Sequence, residues 1–99
     1  MAKKFRPIHP GEILFEEFLK PLGITPYKVA KDLGVPTTRI ADIIHQRRGV
    51  SADTALRLSR YFGLSKDYWM GLQSKYDLAC AEDTLGKRLE KEVRMLQVA

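Results

Sequence analysis

The 99 residues contain one cysteine and two histidines, and this scarcity removes whole classes of protein. Cys80 alone cannot close an internal disulfide, and no His, Cys, Asp or Glu set has the spacing of a metal site. His9 and His45 are far apart, and neither stands near a Ser, Cys or carboxylate in an arrangement that suggests nucleophilic catalysis. No enzyme, cofactor or metal is therefore expected. No apolar run approaches the ~20 residues that span a bilayer. The basic start, Met1 to Arg6, leads into no apolar segment of signal-peptide type, so a cytoplasmic protein without a membrane partner is expected. Alternating patterns of strand length are missing too.

What is present is an ordinary globular composition, 44% hydrophobic and 29% charged, in a length that fits one domain. The organisation expected is an N-terminal arm over 1–9, a helical domain over 10–80 and a C-terminal helical tail over 81–99. The net charge of +5 is unevenly spread, because residues 25 to 60 hold seven Lys or Arg against three Asp. A basic balance confined to one stretch attracts a polyanion, nucleic acid or an acidic membrane surface, by long-range field and counterion release.

Gly and Pro punctuate a series of short helical patterns. A first helix is predicted from Pro10-Gly11 to Lys20, with Ile13, Leu14 and Phe18 on one face and Glu12, Glu16 and Glu17 on the other, stopped by Pro21 and Gly23. A second starts with Thr25 as N-cap and Pro26 at its first position, carries Val29, Ala30 and Leu33, and ends at Gly34. A third has Ile40, Ile43 and Ile44 at i, i+3, i+4 up to the break at Gly49. Ser51 caps a fourth, bearing Ala55, Leu58 and Phe62 and closed by Gly63, and Ser65 caps a fifth, with Trp69, Leu72 and Tyr76 turned to the core. From Glu82 to Val98, Leu85, Leu89, Val93 and Leu96 predict one more amphipathic helix, which is free to dock on its own domain, on a second copy or on another protein.

The second and third helices, joined through Leu33-Gly34-Val35-Pro36 with the small Ala30 where they cross, make a helix-turn-helix pattern. Outside the isoleucine stripe the third helix leaves Thr37, Thr38, Arg39, Ala41, Asp42 and His45. A major groove about 12 Å wide admits one helix. Thr37, Thr38 and Asp42 are the candidates for base contact, and Thr25, Lys28, Arg39, His45, Arg47 and Arg48 suit phosphates on either side. The partner expected is double-stranded DNA.

Leu33-Gly34-Val35, Ile40 through Ile44, Arg47-Arg48-Gly49-Val50 and Asp53-Thr54-Ala55-Leu56-Arg57-Leu58 resemble the lambda-repressor-like, Cro/C1-type helix-turn-helix family. His9-Pro10-Gly11-Glu12-Ile13-Leu14 and Tyr68-Trp69-Met70-Gly71-Leu72-Gln73, with Tyr76-Asp77-Leu78, resemble the HigA-type antitoxins, also called virulence-associated protein I, over residues 8 to about 82. The resemblance implies an all-α, five-helix domain that acts as a homodimer, represses its own operon and neutralises a HigB-type ribonuclease toxin. One departure is Pro36, where the wider family often has Ser or Thr as N-cap; a cap taken over by Thr37 would withdraw its hydroxyl from base contact. Protein contacts are expected from the tail stripe, Leu85 to Leu96, or from the front segment, Phe5 to Ile8. The alternatives are a stand-alone transcriptional regulator and a helical protein-interaction module.

Overall fold

Proline and glycine decide where most of the helices start and stop. The computed structural model describes residues 6–98, and over them the chain forms five helices and no strand. The segment 1–5, which holds Phe5 of the expected front contact, lies outside the described residues.

Helix α1 is continuous through Pro10–Ile13, a wide π-helical stretch Leu14–Leu19 and a last turn Lys20–Leu22. Pro21 was expected to stop it, yet the helix runs on to Gly23. A proline inside a helix lacks an N–H and crowds the carbonyl four residues earlier. The wide turn that ends with the Lys20 N–H on the Phe15 carbonyl gives the ring that room. Helix α2, Pro26–Leu33, begins as predicted at Thr25, whose hydroxyl accepts from the Lys28 N–H at 3.1 Å. It ends at Gly34 in the left-handed conformation, with the Val35 N–H returning to the Ala30 carbonyl. Helix α3 is Thr37–Ile44, shorter than the expected run to Gly49, and α4 is Ala52–Phe62, capped by Ser51 as predicted.

Helix α5, Tyr68–Glu92, joins what the sequence divides into a fifth helix and a tail helix. Nothing between Cys80 and Asp83 breaks a helix, so position 80 falls mid-element; the run ends at Glu92 and residues 93–98 leave the helix. Ser65 does not cap it; its carbonyl instead accepts the Tyr68 N–H across a turn, and Asp67 stands at the start.

The core gathers Leu14 and Leu19 of α1, Val29, Ala30 and Leu33 of α2, Ile40 and Ile43 of α3, Ala55 and Leu58 of α4, and Trp69 of α5. Trp69 is fully buried, as its helical spacing predicts. Two residues at the front of α1 set the approach of α1 to α3. His9, only 4% exposed, caps α1 by accepting the Gly11 N–H on Nδ1 at 2.9 Å, and its ring meets the Tyr76 ring edge-on at 4.8 Å. A Cβ on Gly11 would stand 1.9 Å from the Ile43 carbonyl oxygen, so the two backbones touch there.

Gly11→Ala should therefore destabilise the fold by about 3 kcal/mol in urea denaturation, because backbone atoms have no rotamer with which to retreat. Burial pushes the His9 imidazole below its usual 6.5, against a smaller opposing pull from Asp77. Protonating Nδ1 would also abolish the Gly11 cap. The unfolded chain takes up the proton first, so this contribution is present above about pH 6.5 and is lost as pH falls below it. His9→Asn keeps an acceptor and removes the titration; its melting temperature should fall less steeply than that of the wild type between pH 7.5 and 5.

Candidate nucleic-acid interface

Helix α3 lies against the domain by its apolar edge alone: Ile40 and Ile43 are fully buried, and the inward-facing Val35 is 9% exposed. Thr37 and Thr38 are exposed, and Ala41 and Asp42 are half-buried on the flank. Eight residues make a rod about 12 Å long, which matches the width of a B-DNA major groove.

The N-cap of α3 is Pro36, in extended conformation, and no side chain caps the helix. Thr37 therefore does not take the capping role that the missing Ser or Thr left open. Its hydroxyl stays clear of the helix end, beside amide donors that no side chain covers. This is the most polar and least occupied part of the surface.

The predicted phosphate residues are found in acidic pairings. Arg47 holds Asp42 by two contacts, 2.8 Å from Nη2 and 3.0 Å from Nε, so this predicted reader and this predicted phosphate ligand form one unit. Lys28 lies 3.1 Å from Asp32. The Tyr61 hydroxyl donates to Asp32 at 2.6 Å, and this bond, then the Lys28 ammonium, holds the carboxyl below its ordinary range. Arg39 is 3.7 Å from Asp53. Exposed pairs of this kind contribute roughly 0–1 kcal/mol, so a phosphate can exchange for the carboxylate at small cost. His45 and Arg48 are exposed at the end of the helix, and the Thr25 hydroxyl is occupied by its cap to Lys28.

Three features of this surface were not foreseen. Gln46 ends α3 with φ 62°, the only non-glycine residue with positive φ among those described. Its N–H reaches the Ile43 carbonyl and the Arg47 N–H the Asp42 carbonyl, a helix-ending turn that usually takes glycine. Gln73 of α5 is buried beneath the following loop, where its Oε1 accepts the Val50 N–H at 2.7 Å and its Nε2 donates to Asp77 at 2.9 Å. That clamp fixes the stretch of chain carrying Arg47 and Arg48. Third, Asp53 takes Arg57 Nε at 2.7 Å, while Arg57 Nη1 donates to the Leu33 carbonyl at 2.7 Å, tying α4 to the end of α2. Neither the strained turn nor the long-range bonds follow a local spacing; only the missing glycine at 46 is visible in the sequence.

Two short helices crossing at the buried Ala30, a glycine turn and a projecting second helix with a polar outer edge define a helix-turn-helix protein. The comparisons with known proteins agree. The helix-turn-helix family model matches residues 15–69. Virulence-associated protein I of Dichelobacter nodosus is 53% identical over 75 residues, 76% of this chain and 69% of the relative. Antitoxin HigA-1 of Vibrio cholerae is 36% identical over 76 residues, 76% of this chain and 70% of the relative. The structure of Pseudomonas aeruginosa antitoxin HigA with the higBA promoter superposes with a TM-score of 0.89 at 49% identity, covering 93% of this chain and 100% of that one. The chain belongs to the Cro/C1-type helix-turn-helix family, in the group that includes virulence-associated protein I and the HigA antitoxins. No helix among the described residues is long and apolar enough to cross a membrane.

Relief of left-handed backbone at a residue with a Cβ is worth about 1–2 kcal/mol, and the extra unfolded-state entropy of glycine returns about 0.5–1. Gln46→Gly should thus raise stability by about 0.5–1 kcal/mol in urea denaturation, with the fold unchanged.

Proposed function

We propose that this chain is the DNA-binding antitoxin of a toxin–antitoxin pair. As a homodimer in the cytoplasm it lays α3 of each protomer into the major groove of its own operator and represses its operon. It also neutralises a HigB-type ribonuclease toxin by direct contact. The observation that carries the DNA half is a helix buried on its isoleucine edge and open at Thr37 and Thr38. The Pseudomonas aeruginosa relative, crystallised with its promoter, supports it. The names of the relatives support the antitoxin half.

In this reading Thr37, Thr38 and Asp42 meet base edges, the threonines through hydroxyl or methyl and Asp42 as an acceptor for a cytosine amino group. Thr25, Lys28, Arg39, His45, Arg47 and Arg48 meet phosphate and set the register. When Arg47 turns to phosphate, Asp42 is released toward the groove, so one exchange prepares both interactions. In a dimer the two reading helices lie about 34 Å apart, one turn of duplex.

A gel shift on the chain's own promoter tests the DNA half. Arg47→Ala with Arg48→Ala should weaken binding to every sequence and flatten the log–log salt dependence by about 0.9 for each phosphate that is no longer neutralised. Thr38→Ala should instead change sequence preference at similar salt dependence. A uniform loss from both would refute the division between reading and positioning residues. Co-expression with a neighbouring toxin-like reading frame tests the other half: restored growth supports the antitoxin, and its failure leaves a stand-alone regulator. No shift on any duplex would leave only a protein-interaction module.

A further inference from the structure

On the side of α5 away from the Gln73 clamp, an apolar groove of about 470 Å³ runs between the arm and the helix. Pro7, Ile8 and Ile13 form one wall, and Leu72, Tyr76 and Ala79 the other. Ile8 and Leu78 at its rim are 49% and 64% exposed. The chain also ends in an uncovered apolar segment, in which Met95, Leu96 and Val98 are 81%, 83% and 83% exposed. Scattered apolar side chains on a surface need no explanation, but a groove and a free apolar segment on one molecule do.

We infer that the groove of each chain is closed by the C-terminal segment 93–98 of a second copy, the two α5 helices lying antiparallel about a twofold axis near Leu85. This rests on the homodimer proposed above and names its surface. The chain's own tail cannot fill the groove. Leu72 to Ala79 lie thirteen to twenty positions before Glu92, about 20–30 Å back along an unbroken helix, and six extended residues span only about 20 Å. A second chain running the other way has no such limit, and it is self-complementary as a twofold interface requires.

Three features set the centre. Leu85 and the 45% exposed Leu89 continue the apolar line of the groove along α5. Pairing centred on Leu85 brings residues 93–98 of one copy opposite residues 72–77 of the other, the length of the groove. It also sets Asp77 beside Arg94, Glu82 opposite Arg88 and Asp83 opposite Lys87 of the second copy, with no like charges opposed. The acidic first half and basic second half of this stretch thus complement one another only when antiparallel.

Sedimentation equilibrium of the full chain tests the surface. The wild type should be a dimer. Leu96→Glu, at a position outside any helix and without core contacts, should weaken dimerisation about a hundredfold while the helical circular dichroism stays unchanged. In a Cys80→Ser background, Lys75→Cys with Met95→Cys should give a covalent dimer on oxidation. A wild type that sediments as a monomer overturns both this surface and the proposed homodimer. A dimer indifferent to Leu96→Glu and without the cross-link keeps the homodimer and overturns only the surface. A Leu96→Glu chain that stays dimeric but no longer binds the toxin assigns the segment to the toxin instead, and likewise overturns the second copy as occupant.

Discussion

The backbone contact between Gly11 and the Ile43 carbonyl is the constraint on which the rest of the molecule depends. It brings the start of α1 against the last turn of α3 at a distance that no other residue type permits. His9 then fixes the same corner from the other side, capping α1 through Nδ1 while its ring rests on Tyr76 of α5. Three helices far apart in sequence therefore meet within a few ångströms, and the direction in which α3 leaves the domain is set there. The glycine turn at position 34 permits a sharp reversal, but a turn alone would leave the angle of α3 free.

The energies on the outer surface are of another kind. Each acidic partner of Lys28, Arg39 and Arg47 is at least partly exposed, and such pairs are worth little in water. Their effect is to hold long cationic side chains in place and to keep the surface from carrying bare charge. The bonds beneath them are less replaceable. Gln73 under Val50 is buried, and removing it would leave a main-chain donor without a partner, a cost of about 1–3 kcal/mol. Firm support below and easily exchanged pairings above give a loop that keeps its position while its ligands change.

Much of this was legible in the sequence wherever local chemistry is decisive. Thr25 with Pro26, Ser51, Gly34 and Gly63 each mark a helix end that the structure places at the predicted residue. The isoleucine stripe correctly separates the buried edge of α3 from its open one. Sequence reading failed where a distant contact or an unfavourable local choice decides the outcome. Pro21 predicts a stop that the wide π-turn avoids, and Gln46 takes a conformation for which glycine is the usual signal, ending α3 before Gly49. The division between a fifth helix and a tail rested on a change in the apolar pattern, but a change of pattern is not a break in the backbone. At the interface, the spacing identified cations and a carboxylate correctly as surface groups. It could not reveal that Asp42 and Arg47 hold each other, because five residues apart they meet only across the unusual turn at Gln46.

Trp69 is the sole indole in the chain, and it is sealed among Tyr68 at 5.1 Å, Phe18 at 5.2 Å and Phe62 at 6.4 Å between ring centres. Its ring N–H finds no acceptor among the described residues. A chromophore so enclosed emits from a dry aromatic cage where α1, α4 and α5 converge, away from the surface offered to nucleic acid. The molecule thus carries its own optical gauge of core integrity, one that a ligand at the outer edge of α3 leaves undisturbed while the cage stays closed.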